Sequence, residues 1–303
     1  MPKVSVIMPV YNVASYLDAA FISLQQQTLT DYEVIVVNDG STDDSQDIIS
    51  RYAQSDTRII SFQQHNQGQS VARNLALEHA TGDYIYFMDS DDVIAPETLQ
   101  NCYDYAEKTQ ADFVFFDGEI FYEDGAQPLP WNYKRSYLCE EYKAYEGEGL
   151  LNRMLDEVKH SCVVWLLFIR KRYLDDIKLS FYPGIIHEDE LFTTLLTLQS
   201  KKIFCLKQAL VNHRVRQTST MGKRYSKRNI NCYLTVFDEL FKFQNTPLIR
   251  KFARYTLGRV FYTGHIIPIT EKPSVFWRAL ISGYLPFIGW KNVMVFWLKR
   301  NGA

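Results

Sequence analysis

The sequence predicts an α/β fold: a mainly parallel, Rossmann-like sheet flanked by helices, followed by a helical C-terminal appendage. Three observations predict it. Over residues 1–120, short apolar or β-branched runs alternate with segments of helical spacing. Four of those runs end in polar, loop-forming clusters. Residues 226–265 then read as one or two helices, interrupted near Thr246-Pro247.

The elements follow in order. Residues 4–8 are a short apolar run and the first strand. Residues 14–27 space Tyr16, Ala19, Ala20 and Leu24 as a helix does. Residues 33–37 are β-branched and form the second strand, and residues 43–53 a helix with Ser41 or Thr42 as its N-cap. Residues 58–62 are the third strand, 70–80 the next helix and 84–88 the fourth strand. Residues 96–109 form a helix with Pro96 at its first position, and 112–116 a further strand. Beyond these, Glu123-Asp124-Gly125 reads as a hairpin turn, 163–169 as core and 191–198 as helix. No internal repeat is visible.

In open α/β sheets, ligands bind beyond the carboxyl ends of the strands. Tyr11-Asn12, Asn38-Asp39-Gly40-Ser41, His65-Asn66-Gln67-Gly68 and Asp89-Ser90-Asp91-Asp92 follow the first four strands. Each alone reads equally well as a surface turn. Four on one rim point to a ligand site.

Composition sets the frame. A chain of 303 residues with 47% apolar and 22% charged residues can bury a core without disulfides. Its length suits one large domain plus an appendage, or two domains, here divided as 1–220 and a helical, basic, aromatic-rich region over 221–303. The five cysteines are scattered, with no C-x-x-C pair, so neither a disulfide framework nor a zinc site is expected, and a cytosolic setting is. The apolar run after Met1-Pro2-Lys3 is too short for a signal peptide and reads as a strand. The net charge of −2 hides an asymmetry: residues 201–303 hold 19 Lys and Arg against 3 Asp and Glu, leaving 14 against 32 in the first 200. An acidic front can hold a cation, and a basic, aromatic tail can meet an anionic surface.

Asp89, Asp91 and Asp92 repel one another unless a cation or hydrogen-bond donors compensate. Hard oxygen ligands suit Mg2+ or Mn2+, which can neutralise a diphosphate leaving group. The alternative is an Asp-rich cap on the helix at Pro96.

Four motifs then fall in sequence: residues 6–12 (VIMPVYN), residues 36–43 (VVNDGSTD), Asn66-Gln67-Gly68 with Ala72-Arg73-Asn74, and Asp89-Ser90-Asp91-Asp92. In order and spacing they resemble the family 2 glycosyltransferases, closely over residues 3–125 and more loosely through Trp165, His187-Glu188-Asp189-Glu190 and Arg214 to Ser219. The resemblance implies the GT-A fold and inverting transfer from a nucleotide sugar. It places Pro9, Tyr11 and Asn12 on the nucleobase side, with Asp39 reading base or ribose and Asn66 the base edge. Arg73 approaches the diphosphate, and Gly68 and Ser90 lie in the donor site. Asp89 contacts ribose or metal, and Asp91 is the principal metal ligand. Asp189, beside Glu188, is the catalytic base. The His213 segment folds over the donor: His213 is a third metal ligand, and Arg214 or Arg216 faces the diphosphate. Each also has a plainer reading: Tyr11 as packing, Arg73 as a surface helix residue, Glu188-Asp189 as an acidic helix start, His213 as structural.

The tail mixes Trp277, Trp290, Trp297 and several Phe with Arg278, Lys291, Lys299 and Arg300, the composition of a helix lying in a membrane interface. Gly283, Pro286, Gly289 and Lys291 interrupt residues 279–298 and disfavour a transmembrane span. The alternatives are a helical hairpin packed on the catalytic domain or on a second subunit in a homo-oligomer. No nucleic-acid module is recognisable, and no nucleic-acid partner is expected.

Together these readings predict a metal-dependent inverting glycosyltransferase with Mn2+ or Mg2+. It takes a hexose or N-acetylhexosamine from a UDP-sugar to a saccharide acceptor, lipid-linked, in cell-surface polysaccharide or glycolipid assembly. The setting is the cytoplasmic face of the membrane. A sugar-nucleotide nucleotidylyltransferase is the alternative enzyme, but Val10-Tyr11-Asn12-Val13 stands where its Gly- and Arg-rich phosphate loop belongs. A non-catalytic nucleotide- or Ca2+-binding module is the alternative without turnover.

Overall fold

The computed structural model describes residues 1–158, 160–216 and 225–299. In chain order the elements are β1 (Val4–Val10), α1 (Ala14–Gln25), β2 (Tyr32–Asn38), α2 (Ser45–Ser55), β3 (Ile59–Gln63), α3 (Gln69–His79), β4 (Tyr84–Phe87), β5 (Val93–Ile94), α4 (Thr98–Thr109), β6 (Phe113–Tyr122), α5 (Gly147–Asp156), β7 (Leu167–Arg170), α6 (Lys171–Asp176), α7 (Glu188–Gln199) and β8 (Ile203–Val215). The C-terminal region is helical: α8 (Lys227–Phe243), α9 (Pro247–Thr263), α10 (Lys272–Ile281), α11 (Leu285–Ile288) and α12 (Trp290–Leu298). Gln217, Thr218 and Ser219 of the segment expected over the donor, and Arg300 of the tail, lie outside the described residues.

The strands form one sheet in the order β3-β2-β1-β4-β7-β6-β8-β5. The β1–β2, β1–β4, β2–β3 and β6–β8 pairs are parallel; β7 and β5 pair antiparallel. β1 shows why a proline can stand inside a central strand. The Ile7 carbonyl accepts from Met88 N on the β4 side at 2.9 Å. Pro9 shares that parity, but the β4 ladder stops at Phe87, so no ladder donor is required of it.

The period-two alternation of the strands sorts their side chains onto two faces. Val4, Val6, Met8 and Val10 join Leu17, Phe21, Ile49, Leu99 and Cys102 from α1, α2 and α4. Ile7, Ile35, Val37, Ile85 and Phe87 join Ala72, Ala76, Leu150, Leu174 and Phe192 from α3, α5, α6 and α7. A third core unites α8 to α12 and takes in Leu151, Leu155 and Leu191 of α5 and α7. Each such large apolar side chain contributes about 1.5–3 kcal/mol by leaving water.

Local expectations changed at three places. α2 begins at Ser45, and the side chain that organises its entry is Asp43, whose oxygens accept from Ser45 N and Ala14 N. α4 begins at Thr98; the Pro96 carbonyl instead accepts from Thr28 N. Glu123 to Gly125 turn the chain, but no hairpin strand follows: β6 continues to Tyr122 alongside β8, with one antiparallel bridge from Gly118 to Tyr133. The helix break at Thr246-Pro247 is observed, with the Thr246 side chain capping α9 through Ile249 N.

Candidate active site

Parallel pairing of β1 to β4 brings their carboxyl ends to one edge. After β1, Asn12 takes a positive φ of 52° and its Oδ1 accepts from Thr42 N, tying the first loop to the second. After β2, Asp39 is buried. Its Oδ1 accepts from Gln67 N and Gln64 Nε2 and its Oδ2 from Gly68 N, at 2.7–2.8 Å. Asp39 thus holds the loop that leads into α3. Gly40 permits this closeness: its φ is +74°, and a Cβ there would lie 2.7 Å from Asn66 N. Pro9 is buried, whereas Tyr11 is half exposed and Asn66 exposed on this edge.

Arg73 is the centre of the site. It sits on the inner face of α3 with 1% of its surface exposed. Nη1 donates to Asp189 Oδ1 at 2.6 Å and Glu188 Oε1 at 3.2 Å, and Nη2 to Asp89 Oδ1 at 3.1 Å. Its guanidinium lies over the Phe181 ring at 5.0 Å. A side chain expected at a diphosphate therefore faces three carboxylates. Gln69, one helical turn earlier, joins them: with its oxygen turned to Arg73 it accepts from Nη2 at 2.7 Å and donates to Glu188.

The loop after β4 presents Asp89, buried Ser90, Asp91 and Asp92. Asp91 Oδ2 pairs with Arg216 Nη2 at 2.7 Å. Burial and the neighbouring charge of Asp89 hold the Asp91 carboxyl above its ordinary value, with Arg216 opposing. Asp92 points inward. It accepts from His213 Nδ1 at 2.9 Å and Arg214 N at 2.8 Å, and burial pushes its carboxyl up to about 7. His213 stacks on Trp165 at 4.8 Å with Tyr133 at its edge. Burial disfavours its charged form, yet Asp92 outweighs that and raises the imidazole. Arg214 donates to the Asp91 carbonyl and pairs with Glu123, and both Arg214 and Arg216 lie over Tyr16.

On the other side, Glu188 and Asp189 open α7 behind His187, whose φ is +70°. His187 stacks on Tyr233 of α8 at 4.2 Å, so the C-terminal helices brace this helix start. Burial pushes the Asp189 carboxyl up to about 7, against the pull of Arg73 and with the help of Glu188 and Asp89.

Carboxylate and imidazole, the donor types of Asp89, Asp91 and His213, are ones that Mn2+ or Mg2+ accepts, and Asp92 engages His213 Nδ1. Among the described residues no three His, Cys, Asp or Glu side chains stand together as a ready ligand group. Two guanidiniums, Arg73 on Asp89 and Arg216 on Asp91, supply the compensating charge here.

Residues 5–178 match the profile described as Glycosyl transferase family 2. The chain belongs to that family. Among curated members it is similar to glycosyltransferase GlyA of Streptococcus pneumoniae, 31% identical over 72% of this chain and 31% of GlyA. It is also similar to the uncharacterised glycosyltransferase EpsJ of Bacillus subtilis, 32% identical over 71% of this chain and 61% of EpsJ. The chain thus spans from about a third to less than two thirds of the length of these relatives. The minor teichoic acid biosynthesis protein GgaB of B. subtilis is 31% identical over 76% of this chain and 25% of GgaB. Among solved structures, S. aureus TarS 1–349 superposes with a TM-score of 0.73 at 21% identity, covering 97% of this chain and 83% of that one. Its complex with UDP-GlcNAc gives 0.71 at the same identity and coverage. A mannosyltransferase from Pyrobaculum calidifontis, in complex with GDP-Man and Mn2+, gives 0.59 at 18% identity, over 94% of this chain and 77% of that one. The GT-A-type fold, with its helical C-terminal region, is the fold of this family 2 member.

Several side chains packed into this cluster belong to none of the motifs read from the sequence. Phe181 under Arg73, Gln69 beside it, Tyr16 under the two arginines and Tyr133 against His213 are brought in from separate elements. Gln69 alone had a local clue, standing four residues before Arg73 on one helix face.

Proposed function

We propose that this family 2 glycosyltransferase is an inverting, metal-dependent enzyme. It moves a hexose or N-acetylhexosamine from a UDP-sugar to a saccharide acceptor, lipid-linked, in cell-surface polysaccharide or glycolipid assembly. The observation that carries this reading is the Arg73 guanidinium, which joins Asp89 of the donor loop to Asp189 of α7. One side chain thereby fixes the distance between a leaving-group site and a base. Residues 1–220 form the donor and catalytic unit and 221–303 the helical one.

In this reading Pro9, Tyr11, Asn12, Asp39 and Asn66 frame the nucleoside, with Gly68 and Ser90 beside it; Asp39 acts chiefly by shaping the 64–68 loop. Asp89, Asp91 and His213 would hold the Mn2+ or Mg2+, which when bound supplies charge neutralisation at the departing diphosphate. Arg214 and Arg216 add guanidinium donors near the same oxygens. Asp189 takes the proton from the attacking acceptor hydroxyl. Its Oδ1 is held by Arg73, and Oδ2 is the oxygen that would take the proton. Glu188 holds the other edge of Nη1 and keeps Arg73 from turning away. Attack on the face opposite the diphosphate inverts the anomeric centre.

The helical unit supports placement at the cytoplasmic face of a membrane as a peripheral protein. Among the described residues no helix is long and apolar enough to cross a membrane. Trp277 and Trp290, with Ile281 and Leu298, stand exposed on its surface.

The deciding experiment is a donor-hydrolysis screen over UDP-, GDP- and dTDP-sugars with Mn2+ and Mg2+, run on the unaltered chain, Asp91→Ala and Asp189→Ala. Turnover with a UDP-sugar is expected. With an acceptor added, both Asp91→Ala and Asp189→Ala should abolish transfer, while donor binding should weaken in the first and largely survive in the second. Full activity in both variants would overturn the site assignment.

A further inference from the structure

The C-terminal helices carry a basic cleft that the transfer reaction leaves unused. It lies between α9 and α12 and has a volume of about 480 Å³. Arg254, Tyr255, Gly258, Arg259 and Tyr262 line it from α9, and Asn292 from α12. No acidic side chain lines it. Three other cations of this region have acidic partners: Lys251 with Asp156, Lys242 with Glu239, Arg278 with Asp238. Among the described residues Arg254 and Arg259 have only aromatic company. Arg259 donates to the Tyr255 hydroxyl at 3.0 Å, and Arg254 lies over Phe287 at 5.8 Å. Lys299 reaches the same rim, its Nζ 3.3 Å from the Tyr262 hydroxyl. Three cations around one cleft without a counter-charge favour an anion there. Planar guanidiniums match phosphate oxygens in pairs.

The helix beside the cleft says where that phosphate comes from. Asn292 and Lys299, seven residues apart, share the face of α12 turned to α9. Trp290, Met294 and Leu298 recur every four residues on its other side and are 68%, 48% and 69% exposed. An exposed apolar stripe opposite a polar edge is the geometry of a helix lying in a bilayer interface. A soluble phosphate would satisfy the arginines and leave the stripe in water. At Gly258 the two helices come close: a Cβ there would stand 2.9 Å from Asn292 Nδ2.

We propose that this cleft binds the phosphate headgroup of an anionic lipid while the Trp290 face of α12 enters the acyl boundary. The proposal rests on the peripheral-membrane reading above and narrows it to a site.

The test is flotation of the full chain with phosphatidylcholine vesicles, with and without phosphatidylglycerol. The unaltered protein should float with the anionic vesicles. Arg254→Gln/Arg259→Gln should lose about tenfold or more in that binding, and Trp290→Ser/Leu298→Ser should also weaken it. Lys201→Gln/Lys202→Gln removes the same charge from the exposed loop before β8 and should change binding by less than about twofold. Donor hydrolysis in solution should be the same in all of them. Undiminished flotation of the double-arginine variant would overturn the cleft and leave membrane association standing. Equal losses in the arginine and lysine pairs would replace the site with diffuse charge. Absence of flotation by the unaltered chain would remove both readings. Stabilisation by millimolar inorganic phosphate that the arginine pair abolishes, without flotation, would assign the cleft to a soluble anion instead.

Discussion

Nη1 of Arg73 lies 2.6 Å from Oδ1 of Asp189, and the same guanidinium reaches Asp89 across the site. A charge on α3 therefore sets the position of a carboxylate 116 residues away in sequence.

Arg73→Met should destabilise the protein by about 3–5 kcal/mol, because three carboxylates would lose their buried counter-charge. Arg73→Lys keeps the charge but not the fork, so it should fold and lose transfer through kcat more than through the donor KM. Urea unfolding and steady-state kinetics on the two variants check this. Equal stability of Arg73→Met and the unaltered chain would show that the carboxylates do not depend on it.

The pH dependence follows from Asp189, which burial pushes up to about 7. A base works deprotonated, so kcat/KM should rise with pH and level off above about 7. Linkage has the opposite sign for stability. Between the ordinary carboxylate value, about 4, and about 7, the folded chain keeps a proton that the unfolded chain has released. This group therefore lowers unfolding free energy as pH rises through that window. Asp189→Asn should flatten both profiles; a pH-independent kcat/KM from 5.5 to 8 would exclude Asp189 as the titrating base.

Metal removal gives a third expectation. Chelation with EDTA should suppress donor hydrolysis, and added Mn2+ or Mg2+ should restore it. Asp92→Asn disturbs the partner of His213 Nδ1 without removing a ligand, and should raise the Mn2+ requirement about 10–100-fold. Titration of activity against Mn2+ reads this directly.

Gly147 and Gly149 separate packing from propensity. A Cβ on Gly147 would stand 1.6 Å from the Thr197 carbonyl oxygen, so Gly147→Ala must push α5 off α7. It should cost about 1–3 kcal/mol or more. Gly149 faces nothing within 4 Å, and Gly149→Ala should stabilise α5 by up to about 1 kcal/mol. Thermal melts of the two variants should shift in opposite directions.

Five of the eight strands were legible because strand and helix periods are local properties of the chain; β5, β7 and β8 were not read as strands. β1 to β4 and their helices fell within a few residues of expectation. The misplaced pieces, the starts of α2 and α4 and the turn at Glu123, were decided by partners far away: Ala14 N for Asp43, Thr28 N for the Pro96 carbonyl, and Val215 for the strand end at Tyr122. The site divides in the same way. The strand-end clusters could be read in order, whereas the tie between Arg73 and three carboxylates could not.

By itself, the sequence determined which residue types reach the strand ends: the carboxylates after β4, the Gly40 turn after β2 and the acidic start of α7. Local chemistry suffices for that, since turns, caps and alternation act over a few residues. The tertiary structure decided what those residues do to one another. It turned Arg73 inward onto Asp89, Glu188 and Asp189, and gave Asp39 the 64–68 loop to hold. It also stacked His213 on Trp165. Charge–charge energies and burial depend on distance in space, and only the folded chain sets those distances.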